Sequence, residues 1–183
     1  MGKLSQRYVA FLRGINLGKR RLSMSRLKAV FEELEFDQVE TFIASGNVLF
    51  RSEPTEVGRL ESRIAGHLAI SLGYTVDTFV RSADEVVAIA RAKIFPEQDQ
   101  DGITMHVGFM HQPLAPAVAR KFAAVRTPAN EFQVKGCEYF WLCRGRTSDW
   151  KVWTLPEIKA LRLPSSSMRN LTSIRKLVAK HLS

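Results

Sequence analysis

A nine-residue pattern, Phe-x3-Gly-x3-Phe, occurs twice at an offset of 90 residues: Phe42-Ile-Ala-Ser-Gly46-Asn-Val-Leu-Phe50 and Phe132-Gln-Val-Lys-Gly136-Cys-Glu-Tyr-Phe140. Each puts a glycine between two short apolar runs, which is a hairpin signal. Each also follows a segment that reads strand, loop, helix. A chain built this way pairs strands around a helical crossover, and does so twice. In the first copy Tyr8 to Arg13 reads as a buried strand and Gly14 to Arg21 as a loop. Ser23 can cap a helix whose Met24, Leu27, Phe31 and Leu34 form one apolar stripe. Val39 to Ala44 and Val48 to Phe50 are strands about Ser45-Gly46-Asn47. Pro54 opens a second helix with Val57, Leu60, Ile64 and Leu68 inward, ended by Gly73. Tyr74 to Arg81 alternates as a fourth strand. The order βαββαβ is the split βαβ, or ferredoxin-like, unit.

The second half repeats the theme. Ser82-Ala83-Asp84-Glu85 is a capping box for a helix to about Lys93. Ile103 to Met110 is a strand, and Leu114, Val118 and Phe122 mark a helix. Glu131 to Val134 and Glu138 to Cys143 form a hairpin about Gly136. Residues 144–153 are irregular, with Trp150-Lys151-Val152-Trp153 suited to pinning that segment to the core. Thr154-Leu155-Pro156-Glu157 is a second capping box with Pro just inside, and its helix stops at Pro164. Ser165-Ser166-Ser167 caps a last helix with Leu171, Ile174, Leu177 and Val178 inward. The expected fold is α+β: a ferredoxin-like βαββαβ half over 1–81, then a second βαββα half with a C-terminal helix over 82–183. The two halves either stand apart or form one unit, and the echo leaves tandem duplication open.

Charge is segregated along this framework. Glu32 is the first acidic residue and Glu157 the last, so residues 1–31 carry +8, residues 158–183 carry +6, and the middle carries −5. Two cationic ends on a mildly acidic middle suggest a surface for something anionic. Other classes are excluded. No run of about 18 apolar residues offers a membrane span, and no apolar leader follows the N-terminal Met-Gly-Lys-Leu-Ser-Gln-Arg. Gln6 stands where a myristoylation signal wants Ser or Thr. If Cys137 and Cys143 share one strand, they lie about 20 Å apart and cannot bridge. Free thiols fit a cytoplasmic protein.

Metal and nucleophile chemistry have no visible framework. His67, His106, His111 and His181 are scattered, without a Cys-x2-Cys or His-x3-His pair, and no Gly-x-Ser-x-Gly elbow occurs. No cofactor or metal is expected, and no catalytic residue can be named. Three segments remain as candidate sites. The loop Gly14 to Arg21 offers backbone amides, Asn16, and the charges of Lys19, Arg20 and Arg21, but it is not a Walker loop. It reads equally as a solvated glycine-rich turn. Arg13 lies in alternation with Val9 and Phe11, so it is either buried with a carboxylate or aimed into a cleft. Ser165 to Asn170 sets three hydroxyls at a helix start with Arg169 in the first turn, where cations are usually disfavoured. Its plain alternative is a helix cap. Lys135-Gly136-Cys137-Glu138-Tyr139-Phe140-Trp141 partly fits an RNA-recognition strand, with Tyr139 and Trp141 serving either as a stacking platform or as core.

Tyr8-Val-Ala-Phe-Leu-Arg-Gly-Ile-Asn-Leu-Gly18, then Thr41-Phe-Ile-Ala-Ser-Gly-Asn-Val-Leu-Phe50, then Arg169-Asn170 ahead of Lys176-Leu177, resemble a bacterial domain-of-unknown-function family, number 1697 (DUF1697). That family usually has Thr-Arg-Asn-Trp at the last motif, where this chain has Met168 and Leu171 in the flanking places. The resemblance implies an α+β fold with ferredoxin-like parts and a cytoplasmic, bacterial origin. It brings no activity, cofactor or catalytic residue. The functional expectation is therefore an anion-binding module with Arg13, Asn16, Lys19, Arg20, Arg21, Arg169 and Asn170 as contacts. Nucleic acid is the preferred partner, because basic runs suit a phosphate backbone. The alternatives are an enzyme on a small phosphorylated substrate, clamped by Arg13 and Arg169 and oriented by Asn16 or Asn47, and a partner-binding protein with solvated basic ends. No membrane partner is expected.

Overall fold

Tyr8 to Leu12 is apolar on both sides of the chain, and such a run needs cover on both faces and a neighbour on both edges. The computed structural model supplies the neighbours. It describes residues 5–43, 46–145 and 150–183. Lys3, the Ala44-Ser45 part of the first hairpin turn and residues 146–149 of the irregular segment lie outside them. The chain divides into two compact units, Met1–Ala88 and Ile89–His181, with α3 (Ala83–Arg91) running across the division.

In the first unit β1 (Gln6–Arg13) is central, flanked by β3 (Asn47–Ser52) and β4 (Asp77–Ser82), with β2 (Asp37–Phe42) outside β3. Every neighbour is antiparallel, in the order β2-β3-β1-β4. Helices α1 (Met24–Glu32) and α2 (Val57–Leu72) lie over one face. There Tyr8, Ala10, Leu12, Val48, Phe50 and Val80 meet Leu27, Phe31, Leu60, Ile64 and Leu68. Phe50 stacks on Phe36 at 4.4 Å and on Tyr8 at 5.7 Å. On the other face Val9, Phe11, Leu49 and Phe79 are also buried. The Ser23 cap forms, its Oγ accepting from Arg26 N at 3.1 Å. Helix α2 starts three residues after Pro54, where the Glu56 side chain accepts from Gly58 N at 3.0 Å and satisfies a first-turn amide. Gly73, at φ 75°, ends it.

The second unit repeats the same topology. Its strands β5 (Ile103–Phe109), β6 (Asn130–Lys135), β7 (Glu138–Arg144) and β8 (Ser167–Asn170) lie in the order β6-β7-β5-β8, again antiparallel. Helix α4 (Pro116–Ala123), a 3-10 turn (Trp150–Thr154), α5 (Pro156–Ala160) and α6 (Leu171–His181) complete it. Phe122, Phe132, Tyr139, Trp141, Cys143, Val152 and Ile158 form the core, with Trp153 packed against it. The Trp150 segment thus pins itself inward through Val152 and Trp153.

Strand β8 corrects the expected cap at Ser165-Ser166-Ser167. Ser167 to Asn170 pair with Phe109 to His106, so this half is βαββαβ before its last helix. A four-residue strand at the edge of β5 is too short to show a period of its own. Helix α6 begins one residue later and is capped by Asn170, whose Oδ1 accepts from Thr172 N at 2.8 Å. The Ser82–Glu85 box forms in both directions, Glu85 N to Ser82 Oγ at 3.2 Å and Ser82 N to Glu85 Oε2 at 2.8 Å. The Thr154–Glu157 box does not form, because α5 starts at Pro156 with Leu155 at the cap position, which leaves Thr154 one residue too early, its hydroxyl donating to Lys151 O at 2.7 Å. Both cysteines are free thiols, Cys143 buried and Cys137 half-buried.

Candidate anion-binding site

Strand β1 runs out at Arg13, and the next ten residues form the connection to α1. Arg13 is exposed and stands opposite Asp77 in the β1–β4 register. It is therefore not buried against a carboxylate. The loop beyond it is held by its own polar groups. Asn16 Oδ1 accepts from Leu22 N at 2.8 Å. Arg21 Nη1 donates to the carbonyls of Gly18 at 3.1 Å and Arg20 at 3.0 Å. The Arg20 guanidinium lies 4.1 Å over the Tyr74 ring, and the Tyr74 hydroxyl donates to Ile15 O at 3.1 Å. Asn16 thus shapes the loop, while Lys19 projects from it.

Among the described residues, none of Arg13, Lys19, Arg20 and Arg21 is ion-paired to a carboxylate. Their neighbours in sequence are: Arg7 with Glu40 at 2.7 Å, Arg26 with Glu33 at 2.9 Å, and Lys28 with Glu32 at 3.7 Å. Two large apolar side chains stand exposed at the same end of the sheet, Leu17 at 64% and Ile43 at 49%. The turn bearing Ile43 is tied there because Gly46 O accepts from Leu12 N at 2.9 Å and Gly46 packs on Ile15. Ile43 has φ 51°, unusual for a β-branched residue. Sequence reasoning missed both residues. Leu17 is signalled by its place in a glycine-rich loop, but nothing local marks Ile43. Asn47, a candidate for orienting a substrate, is buried and donates from Nδ2 to Phe42 O at 3.0 Å, closing the hairpin.

In the second unit Arg169 and Asn170 are consecutive on β8, so they point to opposite faces. Arg169 is half-buried on a strand, not in a helix turn. Its Nη1 donates to Ser167 Oγ at 2.9 Å and Met168 O at 3.0 Å, and burial pushes it down to about 10. Asn170 is used as the α6 cap. Tyr139 and Trp141 are 5% and 0% exposed, packed among Phe122, Phe132 and Trp153. Trp141 Nε1 donates to Asn130 Oδ1 at 2.8 Å, and Tyr139 shares a hydrogen bond with Ser166 at 2.9 Å. A buried pair cannot stack bases, so Tyr139 and Trp141 serve as core and Lys135 to Trp141 is not an RNA-stacking strand.

The family model described as "Protein of unknown function (DUF1697)" matches residues 5–140. The chain belongs to the DUF1697 family. Among solved structures it is similar to the conserved bacterial protein SP0830 from Streptococcus pneumoniae, at 18% identity and a TM-score of 0.75, over 98% of this chain and 100% of that one. At that identity the likeness is one of fold. No curated protein matches.

Elsewhere in the first unit of this DUF1697 protein, a cavity of about 470 Å³ is lined by Glu35, Asp37 and Glu53 with Arg63. Arg63 Nη2 donates to Leu34 O at 2.6 Å and its guanidinium lies 5.0 Å from the Phe36 ring centre, so the three carboxylates set the field there and disfavour an anion. Among the described residues no three His, Cys, Asp or Glu side chains gather to hold a metal, and no helix is long and apolar enough to cross a membrane.

Proposed function

We propose that the β1–α1 end of the first unit binds an anionic chain, with single-stranded nucleic acid as the preferred ligand. The observation that carries this is the exposed set Arg13, Lys19, Arg20 and Arg21, without carboxylate partners among the described residues. A phosphate backbone meets such a set by releasing its counterions. Leu17 and Ile43 beside it offer apolar contact to unstacked bases, and a guanidinium plane such as that of Arg20 stacks on them. All four cations stand on open surface, which suits a chain better than an enclosed small substrate. Arg169 and Asn170 drop out of the contact set because one is half-buried and bonded to its own strand, unlike the exposed Arg21, and the other caps α6. The free thiols and the family resemblance support a bacterial cytoplasmic setting.

The test is fluorescence anisotropy of a labelled single-stranded oligonucleotide across a salt series. Four phosphate contacts predict a log–log slope of about −3. The double variant Arg13→Ala/Lys19→Ala removes two side chains that make no hydrogen bond, ion pair or ring contact among the described residues. It should bring the slope to about −1.4 and leave the melting temperature unchanged. Absence of binding at low salt, or a slope indifferent to the two substitutions, would sink the proposal.

A further inference from the structure

Because the two units share one topology, their connections correspond. The β1–α1 loop matches the β5–α4 connection, and residues 73–76 between α2 and β4 match residues 161–166 between α5 and β8. In the first unit the space between those connections is filled. Tyr74 lies there with the Arg20 guanidinium over its ring and its hydroxyl on Ile15 O. In the second unit no aromatic residue follows α5: the chain reads Arg162-Leu163-Pro164. A cavity of about 380 Å³ opens instead, lined by Leu114, Val118, Leu161 and Pro164 with His111 and Arg162, and by no carboxylate. The opening has a plain origin. The helix at this place has five residues in the second unit and 16 in the first.

Arg162 stands just after α5 at φ 48°, where the first unit has Gly73 at φ 75°. An arginine is thus held in a backbone conformation that glycine adopts more easily. Its side chain makes no hydrogen bond or ion pair among the described residues. We infer that this cavity is a binding site for a small aromatic carboxylate: the ring on Leu114, Val118 and Leu161, the carboxylate on the Arg162 guanidinium. The ring takes the place that Tyr74 fills in the first unit. Arginine binds a carboxylate through two parallel hydrogen bonds. A volume of about 380 Å³ is at the small end for ligand sites and holds one or two rings. The site lies wholly in the second unit, so it stands or falls apart from the loop of the first.

The test is an amide-shift titration of the full 15N-labelled chain with indole-3-acetate, with 3-methylindole lacking the carboxylate, and with acetate lacking the ring. Indole-3-acetate should shift the amides of the non-proline residues in 111–118 and of 161–163 saturably, with a Kd of about 1 mM or below for a ligand of this size. Each partial ligand should bind at least ~10-fold more weakly. Arg162→Gly keeps the left-handed backbone, so it should melt no lower than the parent while losing at least ~10-fold in affinity for indole-3-acetate and none for 3-methylindole. No saturable shift at those amides overturns the site, and so does an Arg162→Gly protein that binds as well as its parent.

Discussion

His106 and Gly108 are neighbours on one face of β5, and both are governed by what lies on that face. The His106 ring stacks 4.7 Å from Trp141 and is 7% exposed, and burial lowers its pKa below the ordinary 6.5. As pH falls through about 6.5 the unfolded chain takes up a proton at this position that the folded chain refuses. Stability is therefore complete above that pH and declines below it, down to the folded pKa. Urea unfolding at pH 7.5 and pH 5.5 should show the loss, and His106→Phe, which keeps a ring on Trp141, should flatten it. The carboxyls of Asp99, beside Lys93 and Arg175, and of Glu97 are held below their ordinary values, so their contribution is lost only in more acid solution. Gly108 is a steric case. A Cβ there would fall within the Tyr139 ring. Gly108→Ala should cost about 3 kcal/mol by denaturant midpoint, and less in a Tyr139→Leu background. An isolated glycine inside a strand already signals close approach of something bulky. That the bulk is Tyr139 could not be read from the chain, because the pairing of residues 108 and 139 is set by the register of β5 against β7.

At the scale of elements, caps were legible where donor and acceptor lie within three residues and nothing competes. Ser23 and the Ser82–Glu85 pair behave this way. Thr154 does not, because the 3-10 turn runs through Thr154 and α5 starts only at Pro156, which puts Leu155 at the cap position. The start of α6 was misplaced for a related reason. Three serines look like a cap, but the acceptor that reaches an orphan amide belongs to Asn170. Asn170→Ala should therefore cost about 1 kcal/mol of stability, seen as a lower denaturant midpoint. It should leave oligonucleotide binding as it was, since the carboxamide is spent on Thr172 N. The candidate loop was legible as a basic, glycine-rich turn. Which of its polar groups point outward was not. Asn16 and Arg21 turn back onto the loop, and Arg20 is laid on Tyr74, 54 positions along the chain.

At the scale of the whole molecule the two units repeat one strand order, and the glycines of the repeated Phe-x3-Gly-x3-Phe pattern stand in corresponding hairpin turns, but its last phenylalanines do not stand at equivalent places. Phe50 pairs with Tyr8 and belongs to the helix-covered core of its unit. Phe140 pairs with Val107 on the opposite face of its sheet, and the core-facing neighbours are Tyr139 and Trp141. Side chains alternate along a strand, so an odd difference in register sends matching letters to opposite faces. The topology is repeated, and the nine-residue echo follows it at the hairpin glycine but not at the phenylalanines. The sequence by itself determined the order of elements apart from β8, because helix and strand periodicities and local caps are written in adjacent residues. It also determined the segregation of positive charge to the two ends. Tertiary structure alone decided the rest. It made Ser167–Asn170 a strand, buried Tyr139 and Trp141, and set Ile43 beside the exposed arginines. It also left open beside Arg162 the space that Tyr74 fills in the first unit. The physical reason is common to all of these: face, partner and burial depend on which distant segments are brought together, and no local window of the chain contains both members of those pairs.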